Sequence, residues 1–386
     1  MSRTTSLSLI LAIIFTNSQL SAQPAPDGIG PWDVGRTTFT VVDPAREDRT
    51  FDVDVWYPVD PEDAVGVARA SYDLIFASLE SPLALDSPPV SAQGPRSLVV
   101  FSHGSNGIRY QSYFLTEALA SHGFVVAAPD HSGNTATDLV LGTEAPIEQI
   151  ILDRPADISL TITRMLERSA ASGDFFAGSI DPVRIGVTGH SFGGYTALAM
   201  AGAYPGIPRD PRVLAIVPLA PATLLFTDTD LAAVDLPTML LSGSLDVTTP
   251  VNPNTTRPWK LLSSFYRYRA DIVGGGHQSF SDICDITDAL LAVGIPPDFV
   301  EFIIGAADEG CGPDLIDSGE AHRLTRLYTA SFFKLFVAGE GGYGRYLSSR
   351  YTESESLPVD YYEYGAVLRP APSLLRTVDL SISKQQ

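Results

Sequence analysis

Two textures of hydrophobic patterning divide the chain. Along Thr37 to Val42 and again along Thr50 to Tyr57, apolar and polar side chains alternate on either side of Asp43-Pro44-Ala45-Arg46-Glu47. Alternation with a period of two around such a turn predicts an antiparallel strand pair with one covered face. From residue 97 onward the apolar positions come instead in short unbroken runs: Leu98 to Ser102, Phe124 to Ala128, Arg184 to Val187, Val213 to Pro218, Pro237 to Ser242 and Tyr268 to Val273. Unbroken runs suit strands buried on both faces of a parallel sheet. Ile158, Leu160, Ile162, Met165 and Leu166 recur at helical spacing and predict a helix over Asp157 to Ala170, with a second from Phe192 to Ala203. Helices alternating with buried strands predict a mostly parallel, doubly wound α/β sheet. The stretch from Pro61 to Pro95, rich in Pro, Ser and Ala, reads as a surface excursion with one short helix near Tyr72 to Leu79.

Composition narrows the functional class. With 386 residues, 45% of them hydrophobic and 18% charged, the chain can bury a sizeable core and is unlike a disordered one. A formal charge of −20 repels phosphate backbones, so no nucleic-acid partner is expected. Met1-Ser2-Arg3 followed by the apolar Leu7 to Phe15 and a polar stretch to Ala22 has the layout of a secretory signal peptide over 1–22. The apolar run is too short to span a bilayer, so the expectation is a secreted or periplasmic protein with no membrane span. Two cysteines in an exported chain predict one disulfide, Cys284 to Cys311. No internal repeat or linker is visible, so 23–364 reads as one catalytic domain and 365–386 as a C-terminal tail. The apolar, Gly/Pro-punctuated segment 280–320 reads as a small cap or lid.

The chemistry concentrates at strand ends. The run Arg184 to Val187 leads into Gly189-His190-Ser191-Phe192-Gly193-Gly194 and then a helical pattern, the strand-turn-helix setting of a nucleophile elbow. A serine hydroxyl needs a histidine to take its proton and a carboxylate to fix that histidine's tautomer. When the order is Ser, acid, His, the base must follow Ser191, which leaves His277 and His322. His277, in Gly274-Gly275-Gly276-His277 just after a strand, is the expected base; His322 reads as a solvated helix residue. Asp246, after Pro237 to Ser242, is the expected acid, with Asp228, Asp230 and Asp235 as rivals. The oxyanion donors are expected to be the Phe192 amide and the Ser105 amide in Ser102-His103-Gly104-Ser105. His103 and His190 then support the structure, and His131 packs or lines the pocket. The histidines lack zinc spacing and no glycine loop with a lysine precedes a helix, so no metal and no organic cofactor are expected.

These segments, with Leu119 to Ala128, Arg154-Pro155-Ala156-Asp157-Ile158 and His277-Gln278-Ser279-Phe280, resemble the α/β-hydrolase superfamily. The branch they resemble holds platelet-activating-factor acetylhydrolases and dienelactone-hydrolase relatives. The resemblance implies the α/β-hydrolase fold, Ser191 as nucleophile, His277 as base and the Ser105 and Phe192 amides as oxyanion donors. It does not supply the acid: the animal acetylhydrolases carry theirs after the strand that follows the elbow, where Val213 to Pro221 has no carboxylate, so Asp246 rests on fold order. The implied activity is hydrolysis of compact, short-chain or lipid-like carboxylic esters through an acyl-enzyme. Two alternatives stand beside it. One is a cutinase-like polyester hydrolase or lipase, which usually places an aromatic side chain where Ser105 stands. The other is a catalytically idle binding protein that keeps the fold.

Overall fold

In the computed structural model, the unbroken apolar runs become the middle of a mixed sheet. The structure describes residues 24–74, 76–294 and 297–365. The signal peptide expected over 1–22, and residues 366–386 of the expected tail, lie outside the described residues. The strands are β1 (Asp33–Asp43), β2 (Arg49–Val59), β3 (Arg69–Leu74), β4 (Ala77–Asp86), β5 (Arg96–Ser102), β6 (Val125–Pro129), β7 (Ile180–His190), β8 (Val213–Leu219), β9 (Thr238–Gly243), β10 (Arg267–Ile272) and β11 (Val359–Tyr364). Their order is β11-β10-β9-β8-β7-β5-β6-β2-β1-β4-β3. The block from β6 to β10 is parallel throughout. The expected N-terminal pair β1–β2 is antiparallel and joins the block through β6.

Helices cover both faces, as a parallel block requires. On one face α1 (Tyr113–Ser121) joins a core of Val99, Phe101, Val217, Leu241 and Ile272. On the other, α2 (Ile147–Ala170) and α3 (Phe192–Met200) bury Ile158, Ile162, Met165 and Leu198 against Leu98, Val100 and Val187. The chain leaves β5 for β6 on one side and returns to β7 on the other. This reversal brings the loops after β5 and β7 together at the carboxyl edge of the sheet, where sites form in such folds.

Three local expectations change. Residues 72–79 are not helical: β3 and β4 form a hairpin pairing Tyr72 with Leu79 and Leu74 with Ala77. Tyr72 is withdrawn from solvent and stacks on Tyr110 and Tyr113 at ring separations of 5.1 and 4.9 Å, so tertiary packing selects the strand. Helix α2 begins ten residues before Asp157, and its first turns, with Ile147, Ile150 and Ile151 at helical spacing, continue through Pro155 without a break. The chain also adds β11, antiparallel to β10.

After the His277 loop come α4 (Ile283–Ala292) and α5 (Pro297–Cys311), followed by α6 (Ser318–Phe336), which completes the first face. The expected disulfide joins Cys284 to Cys311 across a sequence separation of 27. Closing a loop of that length stabilises by at most about 3.5 kcal/mol through the unfolded chain. The double substitution Cys284→Ala, Cys311→Ala is therefore expected to lower the melting temperature clearly; an unchanged thermal unfolding curve would refute a stabilising bridge.

Candidate functional site

Ser191 occupies the turn between β7 and α3 with φ 57° and ψ −113°, a left-handed conformation uncommon for a residue with a side chain. The turn is held by the Ser191 amide donating to the Leu219 carbonyl at 2.8 Å and by the Ala222 amide donating to the Ser191 carbonyl at 3.0 Å. It also needs its glycines. A Cβ on Gly193 would overlap the Ser102 carbonyl, and one on Gly189 would come within 2.6 Å of the Gly193 and Ser102 carbonyl oxygens. The half-buried Ser191 hydroxyl thus projects where strand and helix diverge.

The structure brings His277 and Asp246 to that hydroxyl. His277 Nε2 lies 2.9 Å from Ser191 Oγ, and His277 Nδ1 lies 2.9 Å from Asp246 Oδ2. Asp246 follows β9 and His277 follows β10, so neighbouring parallel strands deliver both side chains to one edge. The Asp246 carboxylate is nearly enclosed. The Thr249 amide donates to its Oδ1 at 2.6 Å, and the Thr249 hydroxyl lies 2.8 Å from its Oδ2. Burial alone would raise its pKa, but the hydrogen bonds from His277 and Thr249 outweigh burial and hold the carboxyl below its usual value. It therefore stays ionised at neutral pH and keeps the His277 proton on Nδ1, leaving Nε2 free to accept the serine proton.

The rival carboxylates are occupied elsewhere. Asp228 is exposed and paired with Arg257, Asp235 is exposed and paired with Arg209, and Asp230 caps a helical turn with Thr227. His322 does not stand in solvent as the sequence suggests. Its ring stacks on Phe114 at 3.6 Å, Nε2 bonds the Ser281 carbonyl, and burial lowers its pKa to about 4.

The loop after β5 lies against the elbow: a Cβ on Gly104 would sit 3.5 Å from Ser191 Cβ. The next residue, Ser105, is exposed, and its amide has no hydrogen-bond partner among the described residues. Behind this loop, Gln111 links it to the elbow. Gln111 Oε1 accepts from the Gly104 amide at 2.8 Å, while Gln111 Nε2 donates to His190 Nδ1 at 3.0 Å. His190 is held neutral, its pKa pushed to about 3 by burial and then by His277, so its Nε2–H donates to the His277 carbonyl at 2.9 Å. His131 is fully buried, bonded to Ser102 Oγ and Asp157 Oδ2. Among the described residues, no three His, Cys, Asp or Glu side chains gather as a metal site would need.

Sequence reasoning does not single out Gln111, Thr249 or the role of Arg154. Only Arg154 leaves a sequence signal, a cation four positions before Ile158 on the buried face of α2. The arrangement as a whole can activate a hydroxyl against a carbonyl and accept the negative charge that develops.

Comparison with known proteins finds related sequences and a related fold. Cutinase 1 of Thermobifida cellulosilytica is 29% identical over 181 residues, 46% of this chain and 59% of that protein. The cutinase of Thermobifida fusca (strain YX) is 29% identical over 46% of this chain and 52% of its own. The chain thus spans a little over half the length of these relatives. A solved ferulic acid esterase from Streptomyces cinnamoneus superposes with a TM-score of 0.62 at 27% identity, covering 85% of this chain and 96% of that one. It supports the α/β-hydrolase fold. The family model described as PET hydrolase-like matches residues 88–284, more than half of the chain and a span that includes Ser105, Ser191, Asp246 and His277, so this α/β hydrolase belongs to the PET hydrolase-like family.

Proposed function

We propose that this chain is an exported serine carboxylic-ester hydrolase. Ser191 attacks the ester carbonyl, His277 takes and returns the proton, Asp246 fixes the His277 tautomer, and the Ser105 and Phe192 amides receive the oxyanion. The observation that carries this proposal is the hydrogen-bonded series Ser191–His277–Asp246 set on a strained elbow. The alcohol leaves as the first tetrahedral adduct collapses to an acyl-Ser191, and water then releases the acid by the same proton route.

Export draws support from the Cys284–Cys311 bridge, which persists in oxidising compartments. Among the described residues, no helix is long and apolar enough to cross a membrane. The helices α4 and α5 serve as a small cap: Glu309 on α5 accepts from the Thr248 hydroxyl at 2.8 Å, beside the acid loop.

A compact acyl group is the expected substrate feature. Across p-nitrophenyl esters, kcat/KM is expected to be higher for acetate and butyrate than for dodecanoate by tenfold or more, on the order of 1.4 kcal/mol. Activity confined to long chains would overturn the preference. A second reading, polyester hydrolysis, is favoured by Leu224, Leu225, Leu245 and Val247. These exposed apolar side chains lie on the loop after β8 and beside Asp246, where they can rest on an apolar surface. Release of soluble acids from a polyester film would support it; film left intact beside brisk turnover of soluble esters would exclude it.

A further inference from the structure

Arg154 is a charged side chain with no solvent exposure, set in α2 behind the loop that carries Ser105. A buried guanidinium is tolerated only when its donors are satisfied, so its partners show what it holds. Nε donates to Thr196 Oγ1 at 3.2 Å. Nη1 donates to Asn134 Oδ1 at 2.6 Å and to the Gly104 carbonyl at 3.4 Å. Nη2 donates to Ser102 Oγ at 3.1 Å and to the His103 carbonyl. The guanidinium carbon also lies 5.1 Å from the centre of the Phe192 ring.

The Gly104 carbonyl is the informative partner. Besides Arg154 it accepts from His103 Nδ1 at 2.7 Å and from the Gly107 amide at 3.3 Å. His103 is fixed as the Nδ1–H tautomer because its Nε2 accepts from the His131 amide at 3.0 Å. Burial and then Arg154 hold its pKa well below the ordinary histidine value, so it remains neutral. The Gly104 carbonyl and the Ser105 N–H belong to one planar trans peptide, so they point in opposite directions. Gripping the oxygen from behind therefore aims the N–H forward, and a cation on the oxygen side draws electron density from the amide and strengthens it as a donor.

We infer that Arg154, together with His103, is a positioning residue for the oxyanion site: it aims and polarises the Ser105 amide while its contact with the Phe192 ring and Thr196 ties that amide to α3, where the Phe192 amide begins. One cation thereby sets the spacing between the two donors. The inference rests on the proposal that Ser191 is the nucleophile. Arg154 touches no reacting atom and acts only through the peptides it holds.

The test combines Arg154→Lys, which keeps the charge but loses the planar fork, with His103→Leu and His103→Asn. Asparagine can place a side-chain N–H near the position of Nδ1; leucine cannot. Rates on p-nitrophenyl butyrate are measured beside the affinity for benzeneboronic acid, which forms a tetrahedral adduct on an active serine. Arg154→Lys and His103→Leu are expected to lower kcat/KM about 10- to 100-fold and to weaken the boronate by the same factor, with KM changed less than about threefold. His103→Asn is expected to stay within about threefold of wild type on both measures. Rates within twofold of wild type in both losing variants, or rate losses without parallel loss of boronate affinity, would overturn the inference. If neither losing variant melts cooperatively, the wild-type Ser105 amide proton decides: it should move downfield in the boronate adduct, and an unmoved resonance overturns the inference. A wild-type protein that neither cleaves the ester nor binds boronate defeats the esterase proposal itself and takes this inference with it.

Discussion

Replacing Ser191 by alanine is expected to lower kcat on a p-nitrophenyl ester by about 10⁴-fold or more while leaving the folded structure intact. The size follows from the mechanism: without Oγ no acyl-enzyme forms, and only binding and the oxyanion amides remain to assist water. The fold should survive because the elbow is held by backbone bonds, the Ser191 amide to Leu219 and the Ala222 amide to Ser191, and by the glycines that let strand and helix close. Alanine is no worse than serine at φ 57°, and the hydroxyl it removes is only half-buried. Thermal unfolding of the variant should match wild type within a few degrees, so lost activity would not reflect lost structure. A fluorophosphonate probe gives the complementary measurement. It should label wild type at Ser191 and leave the variant unlabelled. Turnover retained by the variant would sink the assignment of Ser191, whereas an unlabelled, inactive wild type would point to an idle protein that keeps the fold.

Why Ser191 and His277 are readable in the sequence, while the groups that organise them are not, follows from the range of the forces involved. Each of Ser191, Asp246 and His277 sits in the turn or short loop that follows an apolar strand, so a local pattern places it at the carboxyl edge of the sheet. The glycines at 189 and 193 are local in the same sense, required by the backbone of the turn that they form. The hairpin of β3 and β4 is different. Its strand character depends on Tyr72 meeting Tyr110 and Tyr113, partners about forty residues away. Gln111 and Arg154 are more distant still from what they organise. Gln111 reaches His190 across a separation of 79 residues, and Arg154 reaches the Gly104 carbonyl across 50. A lone glutamine before a helix or an arginine within one looks solvated until tertiary structure closes over it. His322 misleads for the same reason: arginines flank it in sequence, yet Phe114 covers its ring.

The acid provides the sharper test, because fold order alone picks Asp246 and its neighbours decide what a substitution does. In Asp246→Asn the side-chain oxygen and nitrogen are no longer equivalent. The Thr249 amide donates to Oδ1 at 2.6 Å, so the asparagine oxygen is expected to settle there, and the amide nitrogen must then face His277 Nδ1. Two donors cannot share that contact, so His277 is driven to the tautomer with its proton on Nε2. That proton points at Ser191 Oγ, and the ring donates where it ought to accept. The expected result is a loss of about 10⁴-fold in kcat at neutral pH with the fold retained, measured on the same p-nitrophenyl ester. In wild type the depressed Asp246 pKa also sets the direction of the acid limit. The carboxylate is charged above its unfolded value, and its contribution to stability is lost as pH falls through the lower folded value, not as pH rises. The asparagine variant should lack that part of the acid sensitivity. A variant that keeps activity within tenfold of wild type would remove Asp246 from the proposed triad, and the rival carboxylates are engaged elsewhere, Asp228 and Asp235 with arginines and Asp230 with the Thr227 cap.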